Sequence, residues 1–245
     1  MNLTLPGKKE GFLSGNQLKI LAALFMICDH VGMLFFPEII PPMIFLRYIG
    51  RLAFPIFAFF IAEGCRYTKN KRRYLGVLAA LGLVFHLVYC WATKDDTVNV
   101  IVSFALAVTF VYFWRFFIGA VQEKKHRQAV IFFVFWAIYG YFCFLLCRTV
   151  HVDYNFWGIL LPWFVYLSGK KWIRLCLFGA GICLVAIGMG ENVSVEAWAL
   201  FAVPIMALYN GRRGSWRMKN FFYLFYPLHL VALYGIYLLT YGGIR

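Results

Sequence analysis

The 245-residue chain predicts an all-α integral membrane protein, a helical bundle of about nine transmembrane helices with its N-terminus in the cytoplasm. Three observations carry that expectation. Hydrophobic residues make up 63% of the chain and charged residues only 14%, far from the balance of a water-soluble domain. Apolar runs of about 15–23 residues recur from end to end, each near the length that crosses ~30 Å of hydrocarbon. The Lys and Arg residues collect in alternate connections between those runs, as the positive-inside rule requires.

Taken in order, the first run covers 18–37 (LKILAALFMICDHVGMLFFP) and follows a polar start, MNLTLPGKKEGFLSGNQ. No small-residue cleavage site follows it, so it reads as a retained span and not a signal peptide. The second covers 43–65 (MIFLRYIGRLAFPIFAFFIAEGC). Further spans fall near 74–93, 98–118, 128–148, 155–169, 172–189, 195–209 and 220–241. The runs at 155–169 and 195–209 are short enough to be tilted or re-entrant. Five basic groups alternate with the spans. They are Lys8, Lys9 and Lys19; Arg66, Lys69, Lys71, Arg72 and Arg73; Arg115, Lys124, Lys125 and Arg127; Lys170, Lys171 and Arg174; and Arg212, Arg213, Arg217 and Lys219. Lys94, Arg148 and the terminal Arg245 are the only basic residues of the other connections. The net charge of +14 is therefore a topology signal first and an anionic-lipid contact second, with no nucleic-acid partner expected. With nine spans the C-terminus lies outside.

No linker or low-complexity stretch interrupts the chain, which reads as one domain over 1–245. The seven cysteines contain no CxxC and lie mostly in apolar runs, so they read as small buried hydrophobes, and no metal is expected.

Ionisable residues inside the first two spans are the main functional signal. Asp29 and His30 lie in the first, and Arg47, Arg51 and Glu63 in the second. A charge at the centre of a membrane helix costs about 2.5–3.5 kcal/mol on insertion scales, so five in two spans imply a polar chamber. At 1.5 Å per residue His30 and Arg51 fall at a common depth, about 10–12 Å from the outer ends of their helices. Asp29 and His30 are a base beside a carboxylate, or else a structural pair bridging helices; neighbours on a helix point about 100° apart and need not touch. Arg47 and Arg51, four residues apart, share a face that holds an anion or pairs with Asp29 or Glu63. Glu63 is expected at a water-accessible cytoplasmic end. His86 and His229 fall near mid-membrane, where each serves chemistry or satisfies a carbonyl loosened by a nearby kink such as Pro227. Asp153 and Tyr154, after His151, lie in an outer connection suited to an acceptor or a plain surface turn. The sequence has no phosphate loop, dinucleotide glycine fingerprint, HExxH or GxSxG motif.

Four blocks carry a family resemblance: LKILAALFMICDHVG (18–32), LRYIGRLAFPIFAFFIAEGCRYTKNKRRYL (46–75), NVIVSFALA (99–107) and LYNGRRG with KNFFYLFYPLHL (208–230). In this order they resemble the TraX family, named for the conjugative F-pilin acetylation protein. The stretch 108–200 matches more loosely, chiefly at Asp153, Tyr154 and Gly158. The resemblance implies a multi-pass acyltransferase of the bacterial cytoplasmic membrane that uses acetyl-CoA, akin to the transmembrane acyltransferases that acetylate glycans. Those carry a basic residue, ten positions and a histidine in their first span, as Lys19 and His30 do here. Carried over, His30 is the catalytic histidine with Asp29 beside it, and Arg47 and Arg51 stabilise the acyl donor or intermediate. Acetyl-CoA carries phosphates, so it implies basic contacts at the inner mouth. Lys19, Glu63, Asn70, Lys71, Arg72, Arg73, Asn210, Arg212, Arg213 and His229 are the expected set.

The expected function is transfer of acetyl from cytoplasmic acetyl-CoA to an amine or hydroxyl at the outer side: a protein N-terminus such as pilin's, a glycan, or a lipid-linked group. The alternative is a proton-coupled transporter or flippase using the same Asp–His–Arg chamber. The absence of a repeat of the two polar spans later in the chain tilts against it. A non-enzymatic assembly partner would have no need of buried charges.

Overall fold

The computed structural model describes residues 11–36, 43–93, 96–190, 193–215 and 218–242. Lys8, Lys9, Pro37, Lys94, Arg217 and Arg245, used above for topology, lie outside the described residues. The regular elements are helical: α1 Gly15–Phe35, α2 Ile44–Gly50, α3 Ala53–Tyr67, α4 Lys71–Thr93, α5 Val100–Gln122, α6 His126–Thr149, α7 Asn155–Tyr166, α8 Lys171–Gly188, α9 Val193–Glu196, a 3₁₀ turn Ala197–Phe201, α10 Ala202–Ala207 and α11 Lys219–Tyr241. Among the described residues there is no β-strand, and backbone bridges join Leu13 to Tyr209 and Val98 to Val152.

Seven helical stretches among the described residues are long and apolar enough to cross a membrane: Gly15–Phe35, Ile44–Tyr67, Lys71–Trp91, Val100–Gln122, His126–Thr149, Lys171–Gly188 and Leu224–Tyr241. The other two expected spans correspond to α7, 12 residues long, and to the broken helix Val193–Ala207. At 1.5 Å per residue α7 covers about 18 Å, well short of a hydrocarbon core. Large side chains such as Trp91, Leu239 and Val231 are open to the surroundings, an arrangement that lipid stabilises and water does not. The chain is a multi-helix membrane protein.

The chain divides into two compact units, Met1–Phe57 with Glu191–Arg245, and Ala58–Gly190, the boundary falling inside α3. In the first unit α1 packs on α2 and α11. Ser14 begins α1 with a capping box, its Oγ accepting from Gln17 N while Gln17 Oε1 accepts from Ser14 N at 2.8 Å. The remaining amides of the first turn are satisfied by the loop before α11: Gly15 N donates to Arg212 O (2.8 Å) and Asn16 N to Arg213 O (2.9 Å). Gly214 turns this loop with φ +97°, a conformation that side chains disfavour.

In the second unit α5 is the central helix, against α4, α6 and α7, and α7 packs on α8. Asn99 caps α5 through Ile101 N (3.0 Å) and Val102 N (3.2 Å), while its Nδ2 donates to Gly82 O of α4 (3.1 Å). One side chain thereby starts a helix and ties it to its neighbour. Phe110, Trp114, Trp136 and Trp163 fill the space between α5, α6 and α7, with ring centroids 5.0–5.7 Å apart.

Candidate functional site

Small residues set the distance between α1 and α2. A Cβ added at Gly50 would stand 2.7 Å from Asp29 Cα and Oδ1, and one at Gly32 would stand 3.1 Å from Arg47 Cδ. The two helices therefore approach closely enough for Arg47 and Arg51 to reach Asp29. Arg47 Nη1 donates to Asp29 Oδ1 at 3.0 Å, and Arg51 Nη2 to Oδ1 at 2.7 Å and Oδ2 at 2.8 Å. Arg51 Nη1 also donates to Glu196 Oε1 at 2.9 Å. Two carboxylates and two guanidinium groups make a formally neutral network, which is what a low-dielectric interior tolerates. Its members differ in commitment. Arg51 and Glu196 are buried (8% and 3% exposed), and both terminal nitrogens of Arg51 meet carboxylates. Arg47 keeps a third of its side chain exposed. Beside the network Tyr48 stacks flat on Trp198, with centroids 4.8 Å apart, which holds the turn carrying Glu196 against α2.

His30 continues the site on α1. Its Nδ1 lies 2.8 Å from Met26 O and 3.4 Å from Nε2 of His229. His229 on α11 repeats the arrangement, with Nδ1 2.8 Å from Phe225 O. A carbonyl oxygen only accepts, so in the neutral rings Nδ1 carries the hydrogen and Nε2 the lone pair. His30 thus presents Nε2 as its basic atom. Phe225 stacks on His229 at 4.9 Å and 8°, fixing that ring.

Asp29, His30, Arg47 and Arg51 are thus brought together, and the arginines pair with Asp29, one of the two readings open from sequence. His229, expected among the acyl-donor contacts, stands against His30. Lys19, Arg212 and Arg213 gather at the start of α1, where Lys19 lies 5.7 Å over the Phe222 ring and the two arginines are exposed. Asn210 Oδ1 accepts from Arg212 N (2.9 Å), shaping its own loop.

The rest of the expected set belongs to the second unit. Glu63 is a correction: it is 7% exposed and paired with Arg174, withdrawn from the water it was expected to meet. Arg174 also lies 4.6 Å over the Phe59 ring. Asn70 Oδ1 accepts from Arg73 N (2.9 Å), a helix cap at the start of α4. Lys71 is partly exposed there, and Arg72 and Arg73 are exposed. His86 rests on Cys90 one turn along its own helix.

Sequence reading missed Glu196, Arg174 and the contact between the two histidines. Glu196 had a visible signal, a carboxylate inside an expected apolar span, whereas Arg174 stood in the basic group with Lys170 and Lys171 and read as topology. The histidine contact had none, since residues 199 positions apart meet only through tertiary packing.

Fold and site together define a polytopic helical membrane protein with an ionised network inside its helices. The chain belongs to the TraX protein family, whose model matches residues 14–237. It is similar to the probable fimbrial assembly protein FimC, serogroup H1, of Dichelobacter nodosus, with 26% identity over 247 residues, 90% of this chain and 94% of that protein. It is also similar to the uncharacterized protein RP591 of Rickettsia prowazekii (strain Madrid E), with 26% identity over 164 residues, 66% of this chain and 59% of that protein. No solved structure matches it significantly.

Proposed function

We propose that the protein is a membrane acetyltransferase that moves acetyl from cytoplasmic acetyl-CoA to an amine or hydroxyl acceptor at the outer side of the bacterial cytoplasmic membrane. The observation that carries this reading is His30, whose Nδ1 is held by Met26 O so that Nε2 is left basic, set one residue from a neutral Asp29–Arg47–Arg51–Glu196 network. His30 Nε2 removes the acceptor's proton. Arg47, the more exposed arginine, receives the oxyanion of the tetrahedral intermediate. Arg51, held by two carboxylates, keeps Asp29 and thereby Arg47 in place. Lys19, Arg212 and Arg213 take CoA phosphates at the start of α1. Lys19 to His30 is eleven residues, about 16 Å of helix rise, a gap for the pantetheine arm to bridge.

The alternation of basic connections supports nine crossings with the N-terminus inside, α7 and the Val193–Ala207 segment crossing as short helices sheltered by protein. The name of the fimbrial assembly relative supports an acceptor on a surface-appendage subunit; glycan or lipid-linked acceptors fit the same chemistry.

The test uses the full chain in nanodiscs, labelled acetyl-CoA, and an N-terminal pilin peptide or glucosamine as acceptor. Label transfer that is lost in His30→Ala supports the reading. A wild-type protein that neither binds nor consumes acetyl-CoA contradicts it. The contact of His30 with His229 across α1 and α11 also suits a proton pathway, so proton-coupled uptake without acetyl transfer would establish the transporter instead.

A further inference from the structure

The histidine contact holds more than an orienting bond. His30 shares its Nδ1 hydrogen between Met26 O at 2.8 Å and the lone pair of His229 Nε2 at 3.4 Å, with ring centroids 5.0 Å apart at 71°. His229 is 8% exposed, its own Nδ1 hydrogen is committed to Phe225 O, and its ring is clamped by the parallel face of Phe225. A neutral buried imidazole so held has one available chemistry, acceptance of a proton at Nε2 from His30. The face of Phe225 is also placed to favour the resulting cation.

We propose that His229 is a positioning residue and proton relay for His30, the two rings together holding one transferable proton. When the X–H bond of an acceptor breaks, its proton joins His30 Nε2. The Nδ1–H bond of His30 then breaks and the proton joins His229 Nε2, leaving His30 neutral and His229 an imidazolium. The return step reverses both transfers and delivers the proton from His30 Nε2 to the leaving thiolate. Only the identity of acceptor and thiolate rests on the acetyltransferase reading; the shared proton rests on the geometry.

The surrounding charges favour one proton and not two. The charged and titratable groups acting on His30 are Asp29 on its own helix, Arg47 and Arg51 from α2, and His229 from α11, with Glu196 behind Arg51 and Tyr226 against the far ring, His229. Asp29 is engaged by both arginines and Glu196 by Arg51, so neither carboxylate of this network stands ready to favour a second proton.

The experiment follows histidine ¹⁵N resonances of the full chain in nanodiscs across pH, in wild type, His229→Gln and His229→Phe, with acetyl-transfer pH profiles alongside. At neutral pH His30 is expected as the Nδ1–H tautomer, and the wild-type pair takes up a single proton as pH falls. Gln keeps an acceptor oxygen but cannot carry a proton, so the tautomer persists while transfer drops about 10-fold; Phe lowers it about 100-fold. With the partner that shares the proton gone, the acid limb of the acetyl-transfer profile changes position in His229→Phe. His30 found as the Nε2–H tautomer, or a His30 titration unchanged in His229→Phe, overturns the relay. A shared proton in a wild type that transfers no acetyl supports the relay and removes the acetyltransferase reading.

Discussion

The two compact units each bury arginine against carboxylate, and the two burials are built differently. In Ala58–Gly190, Glu63 and Arg174 form a closed pair, with side chains 8% and 7% exposed and the arginine under the Phe59 ring. In the other unit the charges form a chain, Glu196–Arg51–Asp29–Arg47, whose exposure rises along its length from 4% at the Glu196 side chain to 33% at Arg47. His30 follows Asp29 of this chain directly in sequence, its Nδ1 held by Met26 O. A closed pair gives specificity to packing and nothing to a substrate. A graded chain is fixed at its buried end and able to meet a ligand at its open end, which is how a preorganised site is supported.

Substitutions on each side separate the two burials. The largest expected effect is His30→Ala, which lowers acetyl transfer by about 10²–10⁴-fold with the thermal unfolding temperature unchanged. Arg174→Met strands Glu63 and lowers stability by about 3–5 kcal/mol, measured by unfolding in mixed micelles, whereas Arg174→Met with Glu63→Leu restores it. Activity per folded molecule in that double variant stays at the wild-type level. Arg47→Gln lowers kcat by about 10²-fold with the fold intact, as loss of one oxyanion donor does. A variant with unchanged kcat would move the oxyanion contact elsewhere. The smallest effect is Asn70→Ala, which removes the α4 cap at a cost of about 1 kcal/mol and leaves KM for acetyl-CoA as it was.

Much of this was legible in the residues. Seven of the nine expected spans coincide within a few residues with helical stretches long enough to cross, and 155–169 and 195–209 fall on shorter helices; hydrophobic length is a local property and so is read directly. Asp29, His30, Arg47 and Arg51 stood out for the same reason, as charges in apolar runs. What sequence did not reveal was pairing. The choice of Arg47 and Arg51 for Asp29 over Glu63 depends on how closely Gly50 and Gly32 let α1 approach α2. The burial of Glu63 depends on Arg174, 111 residues away. Asn70 and Asn210 read as ligand contacts from their basic company, yet their side chains serve their own backbones; short polar side chains at turns commonly do so.

Thiol release from acetyl-CoA shows whether the open network, and not the closed pair, carries the proposed transfer. The measurement compares wild type, His30→Ala and the Arg174→Met, Glu63→Leu double variant, all in nanodiscs with the same acceptor peptide. Wild type and the double variant are expected to release thiol at equal rates, and His30→Ala only at background. Full release by His30→Ala, or loss of release in a well-folded double variant, would contradict that assignment.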